Sequence, residues 1–97
     1  MTLIAAELRE DQGEINTARA RKLPDLVAID DICGDLHLHT SATDGRADLR
    51  AMVQAAQAKG YSYIATTDHS QRVAMAHGLD PKRLARQIDE IDLINAT

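Results

Sequence analysis

Large aromatic side chains are nearly absent from this sequence, whose 97 residues include no tryptophan, no phenylalanine and two tyrosines. The apolar content is nevertheless 44%, so a core has to be built mainly from Leu, Ile, Val, Met and Ala. A charged content of 27% completes a composition typical of globular domains. A domain of this length buries only about 60 to 65% of its unfolded surface. We therefore expect at most one folded domain, of marginal stability.

Cysteine is also scarce, since Cys33 is the single thiol of the chain. A disulfide within the chain is excluded, and a reducing compartment is the simplest setting. We expect Cys33 itself to be a small buried residue. The sequence has no apolar run of about 18 residues for a membrane helix and no basic-then-apolar signal at its N-terminus. These absences predict a cytoplasmic protein with no membrane partner.

A surplus of positive charge is missing as well. The formal net charge is -4 and the sequence pI is near 5.4. Free-standing nucleic-acid binding usually depends on clustered Lys and Arg side chains that neutralise phosphates. A nucleic-acid partner would therefore have to be held by other parts of a longer protein, or through bound metal.

The character of the sequence changes near residue 32. Residues 7–22 are rich in charge, and Pro24 should interrupt any helix that reaches it, because it lacks a backbone N–H and disfavours a helical Leu23. We predict that residues 1–31 form a partly helical connector from an upstream domain. Residues 32–97, which are more strictly patterned, are predicted to begin a folded domain.

The first patterned segment alternates in the manner of a β-strand. Leu36 and Leu38 are predicted to point to one face of this strand, and Asp35, His37 and His39 to the other. The two histidines therefore converge on one side.

A helix and a second strand follow. Apolar residues recur at helical spacing over 49–56, which predicts an amphipathic helix that begins near residue 46 or 47 and ends at Gly60. Residues 61–67 are rich in β-branched and aromatic side chains and predict a second strand. Such an order makes the two strands parallel, with their carboxyl ends at one edge of the sheet. A last helix is predicted to begin with Asp80 as its N-cap and Pro81 as its first residue.

The residues that could bind a metal ion or take part in a reaction lie at the carboxyl ends of the two predicted strands. His37 and His39 could bind one metal ion or two adjacent ions, because imidazole nitrogen is a good ligand for zinc, manganese or iron. Asp44 lies in the loop after the first strand, and His69 ends the second strand. Each of these features alone fits a plainer role, as a structural histidine pair, a helix cap or a solvent-facing residue. Their joint placement at the edge where parallel sheets build active sites predicts a metal site.

Three segments now carry a family resemblance. Residues 35–40 (DLHLHT), 43–45 (TDG) and 67–70 (TDHS) resemble the first two motifs of the polymerase and histidinol phosphatase (PHP) domain. The resemblance covers roughly residues 32–97. It implies an α/β fold made of the first two β/α units of a distorted (β/α)7 barrel with parallel strands. It also implies divalent metal ions, commonly zinc or manganese and about three in an intact domain, and the cleavage of phosphoesters.

The same resemblance assigns roles to single residues. It implies that His37 and His39 hold one metal ion, and that Asp44 and His69 help to hold another. Asp68 is implied to support the ligands or to have a structural role.

The segment before the first strand narrows the expectation further. It is similar to the segment that enters the C-terminal PHP domain of bacterial family X DNA polymerases, and residues 78–91 fit the same subfamily. This implies a 3′–5′ exonuclease module that acts on DNA in repair, joined by residues 1–31 to a polymerase domain. Two alternatives stay open: a small-molecule phosphatase of the histidinol-phosphatase type, acting on a small phosphate ester, and a non-catalytic folding or interaction fragment.

The resemblance also implies that further ligands of the family would come from strands beyond residue 97. We therefore expect this chain to contain less than half of the metal site. On its own it should bind divalent metal weakly, lack robust nuclease activity and tend to self-associate through uncovered sheet edges and apolar surface.

Overall fold

The connector contains short helical pieces, as predicted. The computed structural model describes residues 3–97, so the first two positions of the predicted connector lie outside the described residues. Helix α1 spans Glu14–Arg19, and single turns of 3-10 helix span Ala6–Leu8 and Ile29–Asp31. No helix continues through Pro24, which lies in a stretch without regular secondary structure between these elements.

Two parallel strands form the centre of the described chain. Strand β1 spans Gly34–Leu38 and strand β2 spans Tyr63–Thr66, so β2 is shorter than the predicted segment 61–67. Asp35 pairs with Ile64 and Leu38 pairs with Thr66, which places one more residue in β1 than in β2 between these pairs. Such an extra residue is a β-bulge, which bends a strand and redirects its side chains.

The bulge coincides with a departure from the predicted alternation in β1. Leu36 and Leu38 were expected to share one face, yet Leu38 is 7% exposed and Leu36 is 68% exposed. The Asp35 carboxylate accepts a hydrogen bond from the His37 N–H at 2.8 Å. Because a side chain takes up this N–H, the backbone of β1 departs from a regular ladder at that point.

Helix α2 spans Leu49–Ala58 and connects the two strands. It begins later than predicted because the Asp48 carboxylate caps it, accepting a hydrogen bond from the Ala51 N–H at 2.8 Å. The helix stops at Gly60 as predicted. Gly60 has a φ of 80°, and the following Tyr61 N–H donates to the Ala56 carbonyl, which is the pattern of a Schellman C-cap.

Helix α3 spans Pro81–Asn95 and begins at the predicted cap. The Asp80 carboxylate accepts a hydrogen bond from the Arg83 N–H at 2.8 Å, and Pro81 takes the first helical position. The apolar side chains of its first half are not covered, since Leu84 and Ile88 are 46% and 50% exposed. The half-buried side chains in that part of the helix are instead Arg83 and Gln87.

The buried residues of the described chain are few and small. The buried apolar side chains are Ala18, Leu38, Leu49, Ala76 and Leu79, and they are joined by the buried hydroxyl residues Thr40 and Thr43.

Cys33 corrects one expectation, because it is exposed rather than buried. It lies just before β1, where the connector enters the sheet, and its thiol donates to the Asp31 carbonyl at 3.3 Å.

The strand, helix and strand order with parallel pairing confirms the predicted α/β class. Closure into a barrel stays a prediction. Within residues 3–97, none of the helices combines the length and the apolar character that crossing a membrane requires.

Candidate metal centre

The candidate ligands gather where β1 and β2 end. His39 follows β1 directly, and His69 lies three residues after the end of β2. The two strand ends are held together beyond the ladder, because the Leu38 carbonyl accepts hydrogen bonds from the N–H and the hydroxyl of Thr67 at 2.8 and 3.1 Å. Parallel pairing thus brings two segments that are distant in the sequence to one edge of the sheet, as the sequence predicted.

His37 and His39 converge, as expected for residues two apart on this strand. Their Nε2 atoms are 3.1 Å apart, and the centroids of their rings are 5.2 Å apart. Two imidazole ligands of a tetrahedral zinc ion, each with a bond of about 2.0 to 2.1 Å, would have nitrogens separated by about 3.3 Å. The spacing in the structure is close to that value.

Asp44 links the histidines of the two strands. Its Oδ1 lies 3.3 Å from Nδ1 of His39, and its Oδ2 lies 3.2 Å from Nε2 of His69. The rings of His39 and His69 are stacked at a centroid distance of 4.5 Å with a tilt of 37°. The four residues predicted as ligands therefore form one continuous row, in the order His37, His39, Asp44, His69.

The donor atoms of this row fit a divalent metal ion. His39, Asp44 and His69 each offer one ligand atom, and these three atoms lie within 4.8 Å of one another. Nδ1 of His39 is buried and has no hydrogen-bond partner among the described residues, despite its proximity to Asp44. A buried polar atom without a partner is costly, and a bound cation would satisfy it. Imidazole nitrogen with carboxylate oxygen is a donor set suited to zinc or manganese.

The loop that carries Asp44 is held by hydrogen bonds between its own backbone groups. The Thr40 carbonyl accepts hydrogen bonds from the N–H groups of Thr43 and Gly45, and the Ser41 N–H donates to Ala47. A Cβ at Gly45 would lie 2.7 Å from the backbone carbon of His39, so the loop folds back against a candidate ligand and leaves no space for a side chain there.

Asp68 is not in the row of candidate ligands, but it accepts hydrogen bonds from residues next to them and from α3. One carboxylate oxygen accepts hydrogen bonds from the Thr40 N–H at 2.8 Å and the Thr43 hydroxyl at 2.5 Å. The other accepts from the Thr40 hydroxyl at 2.7 Å and from the Gln87 side-chain amide at 2.6 Å. The resemblance implied a supporting or structural role for Asp68, and these contacts are of that kind.

The environment of Asp68 favours its ionised form. Burial raises the pKa of its carboxyl, but the hydrogen bonds from Thr43, from the N–H and hydroxyl of Thr40 and from Gln87 outweigh burial and hold the pKa below its ordinary value. The carboxylate thus acts as a charged acceptor around which the two loops are arranged.

Sequence reasoning missed Thr40, Thr43 and Gln87 as parts of this site. The sequence could have indicated a site role for the two threonines, since Thr40 follows His39 and Thr43 precedes Asp44. The sequence carried no comparable signal for Gln87, which reaches Asp68 from a helix that begins more than ten residues later.

Several other polar residues of the second half of the chain lie outside the row. His77 is exposed in the loop before α3, with a φ of 52°, and is not among the candidate ligands. Lys82 and Arg86 are exposed on α3. Arg83 differs from them, because its guanidinium donates to backbone carbonyls of the same chain.

Comparison with known proteins identifies a family for most of the chain. The family model described as the PHP domain matches residues 35–93, a range that holds all four candidate ligands. The chain is also 42% identical over 96 residues to the DNA polymerase/3'-5' exonuclease PolX of Bacillus subtilis (strain 168). That alignment covers 99% of this chain and 16% of the relative, so the chain spans about one sixth of the length of the protein it resembles.

Proposed function

Since the chain belongs to the PHP domain family, we propose that it supplies the first metal ligands of a phosphoesterase site in a longer protein. The observation that supports this most directly is the continuous row of His37, His39, Asp44 and His69 at one sheet edge. We propose these four residues as the ligands. Zinc or manganese suits their donor atoms.

A divalent ion in such a site supplies Lewis acidity toward phosphoryl oxygens and promotes the deprotonation of water. The protein's own contribution is to place the ligands. The Asp44 carboxylate lies between the rings of His39 and His69, with its oxygens 3.3 and 3.2 Å from a nitrogen of each. Asp68 binds Thr40 and Thr43, the residues beside His39 and Asp44, and so restrains the loop that carries these ligands.

We further propose that the longer protein is a bacterial family X DNA polymerase, located in the cytoplasm, and that this site belongs to its 3′–5′ exonuclease module acting on DNA in repair. The support is the 42% identity to the Bacillus subtilis protein, whose name contains both activities. That similarity runs over 96 residues and therefore includes nearly all of the connector as well as the PHP segment. A connector entering from a polymerase domain accounts for this better than a phosphatase of the histidinol type, in which little would precede the first strand.

The test uses the intact protein encoded by the reading frame that contains this chain. With Mn²⁺, a 5′-labelled oligonucleotide should be shortened stepwise from its 3′ end, while histidinol phosphate should be hydrolysed slowly or not at all. Replacing His69 by Ala should lower the nuclease rate at least about tenfold. His77→Asn is the matched control, because His77 is exposed and outside the row. Fast hydrolysis of histidinol phosphate without DNA cleavage would instead favour the small-molecule phosphatase.

The isolated 97-residue chain is expected to behave differently from the intact protein. Four ligands without the remainder of the family's set should bind divalent metal weakly and give no robust nuclease activity. Strong metal-dependent hydrolysis of DNA by the purified chain would contradict this expectation.

A further inference from the structure

The first ten residues of α3, residues 81–90, are attached to the rest of the chain by polar contacts. Among the first ten residues of α3, only Arg83 and Gln87 are half-buried, and the apolar Leu84 and Ile88 are left exposed. Arg83 and Gln87 are four residues apart, so they lie on the same face of the helix, one turn from each other. This face points at the loops that hold the candidate ligands.

Arg83 contacts both of those loops through backbone carbonyls. Its Nη1 donates to the carbonyls of His77 and Gly78 at 2.7 and 3.1 Å, and its Nη2 donates to the carbonyl of Ala42. Ala42 lies two residues before Asp44, in the loop after β1, whereas His77 and Gly78 lie in the segment after β2. One guanidinium therefore joins the loop after β1 to the loop after β2.

Gln87 completes the attachment one turn later. Its amide donates to Asp68, the residue before His69, and Asp68 in turn binds Thr40 and Thr43. Each of the candidate ligands His39, Asp44 and His69 is thus adjacent in sequence to a member of this network.

We propose that Arg83 and Gln87 are positioning residues for the metal centre, which hold the loop of Asp44 and the loop of His69 at the spacing that a metal ion requires. They touch no ligand atom and act through Ala42 and Asp68. A guanidinium suits this role because its planar fork can bind several carbonyls at fixed angles, which a lysine cannot reproduce. The inference rests on the proposed metal site, and it adds that the affinity of this site depends on α3.

The experiment measures Zn²⁺ affinity of the full 97-residue chain by competition with a chromogenic chelator, for the unmodified chain and for Arg83→Lys and Gln87→Met. Both variants should bind Zn²⁺ at least about tenfold more weakly, as expected when supports of metal ligands are removed. Arg50→Lys and Gln54→Met are the matched controls, because both side chains are exposed on α2. Their affinities should equal that of the unmodified chain.

Two further measurements separate positioning from folding. Far-ultraviolet circular dichroism should show the same helix content in all of the proteins. With Co²⁺ in place of Zn²⁺, the visible absorption band should shift in position or intensity in Arg83→Lys and Gln87→Met and not in the controls, because the geometry of the ligands has changed.

The possible outcomes distinguish this inference from the proposed function. If the unmodified chain binds Zn²⁺ and His39→Ala abolishes binding, the metal site stands, and equal affinity in the Arg83 and Gln87 variants overturns the positioning role alone. If the unmodified chain does not bind Zn²⁺ at all, the inference that α3 sets the metal affinity of this chain fails, while the proposed function is decided by the nuclease assay on the intact protein. Loss of helix content in both variants would also overturn the inference, because the two residues would then serve folding and not ligand placement.

Discussion

Asp68 accepts four hydrogen bonds, which come from the loop after β1 and from α3. An asparagine at this position would have one NH₂ group in place of a carboxylate oxygen, and this group cannot accept the hydrogen bonds that Asp68 accepts. It would also lose the negative charge that strengthens these hydrogen bonds. Hydrogen bonds to charged groups contribute more than neutral ones. We therefore expect Asp68→Asn to lower the free energy of unfolding by about 2 kcal/mol at neutral pH, measured by urea denaturation. Asp89→Asn, an exposed change in α3, should alter it little.

The same carboxylate should give the stability a dependence on pH. Its pKa in the folded chain is below the ordinary value of 3.8, so the folded state favours the ionised form more than the unfolded state does. The resulting stabilisation is fully present above that ordinary value and is lost as the pH falls through the lower folded pKa. The difference in unfolding free energy between the unmodified chain and Asp68→Asn should therefore be constant from about pH 7 to about pH 5 and shrink in more acidic solution. A difference that grows toward acid pH would contradict this assignment.

Gly45 gives a residue-level test of the loop that carries Asp44. A Cβ here would press on the backbone of His39 and Thr40, so Gly45→Ala must displace the loop from the strand end. We expect weaker Zn²⁺ binding, by at least about tenfold, together with some loss of stability. The matched control is Gly13→Ala, where a Cβ meets nothing within 4 Å but the φ of 93° is strained. That variant should lose stability and keep its metal affinity; equal affinities in both variants would show that the loop tolerates the displacement.

At the scale of the elements, two aspartates near the beginning of α2 have different roles, one as a helix cap and the other as a candidate ligand. Asp48 caps the helix in the structure, whereas Asp44 faces His39 and His69. Asp48→Ala should therefore lower the stability of the chain by about 1 kcal/mol without changing its Zn²⁺ affinity. Asp44→Asn should have the opposite profile, with a large loss of affinity and a small loss of stability. If Asp44→Asn proves the more destabilising of the two in thermal unfolding without metal, Asp44 has the capping role instead.

Elements whose signals are local could be predicted from the sequence. The cap at Asp80 with Pro81 and the stop at Gly60 are set by the backbone needs of a single helix end, and both appear where the sequence placed them. The parallel order of the strands follows from the intervening helix, and it was enough to bring His39 near His69.

Features that depend on competition between neighbours could not be predicted. The bulge in β1 arises where the Asp35 side chain takes the His37 N–H from the ladder, and a regular alternation of residues does not reveal this. Gln87 reaches Asp68 across 19 positions, and nothing in the periodicity of α3 marks it as different from other polar helix residues. Leu84, Ile88 and Ile91 recur at helical spacing in α3, yet the described chain leaves Leu84 and Ile88 exposed and Ile91 only half-buried.

At the scale of the whole molecule, the described chain is extended. Its radius of gyration is 20.1 Å and its extents are 59, 32 and 17 Å. A compact domain of 100 residues has a radius of gyration of about 13 Å. Connector and helices therefore cover one another little, which agrees with the small number of buried apolar residues.

This geometry leads to a prediction about association. Leu84 and Ile88 lie exposed one turn apart on one face of α3, and burying one such side chain fully contributes about 2 kcal/mol. Two copies that covered these side chains would gain free energy comparable to a large part of the stability of a small domain. In sedimentation velocity the 97-residue chain should therefore show a sedimentation coefficient that rises with protein concentration.

The variant Ile88→Glu tests whether α3 is responsible, because it places a charge among these apolar side chains. It should shift the rise to higher concentration, whereas Arg86→Glu, which also introduces an acidic group at an exposed position of the helix, should leave the association nearly unchanged. A single monomeric species at every concentration would contradict the prediction. In that case the exposed side chains of α3 would not suffice to drive association, and marginal stability would limit the isolated chain instead.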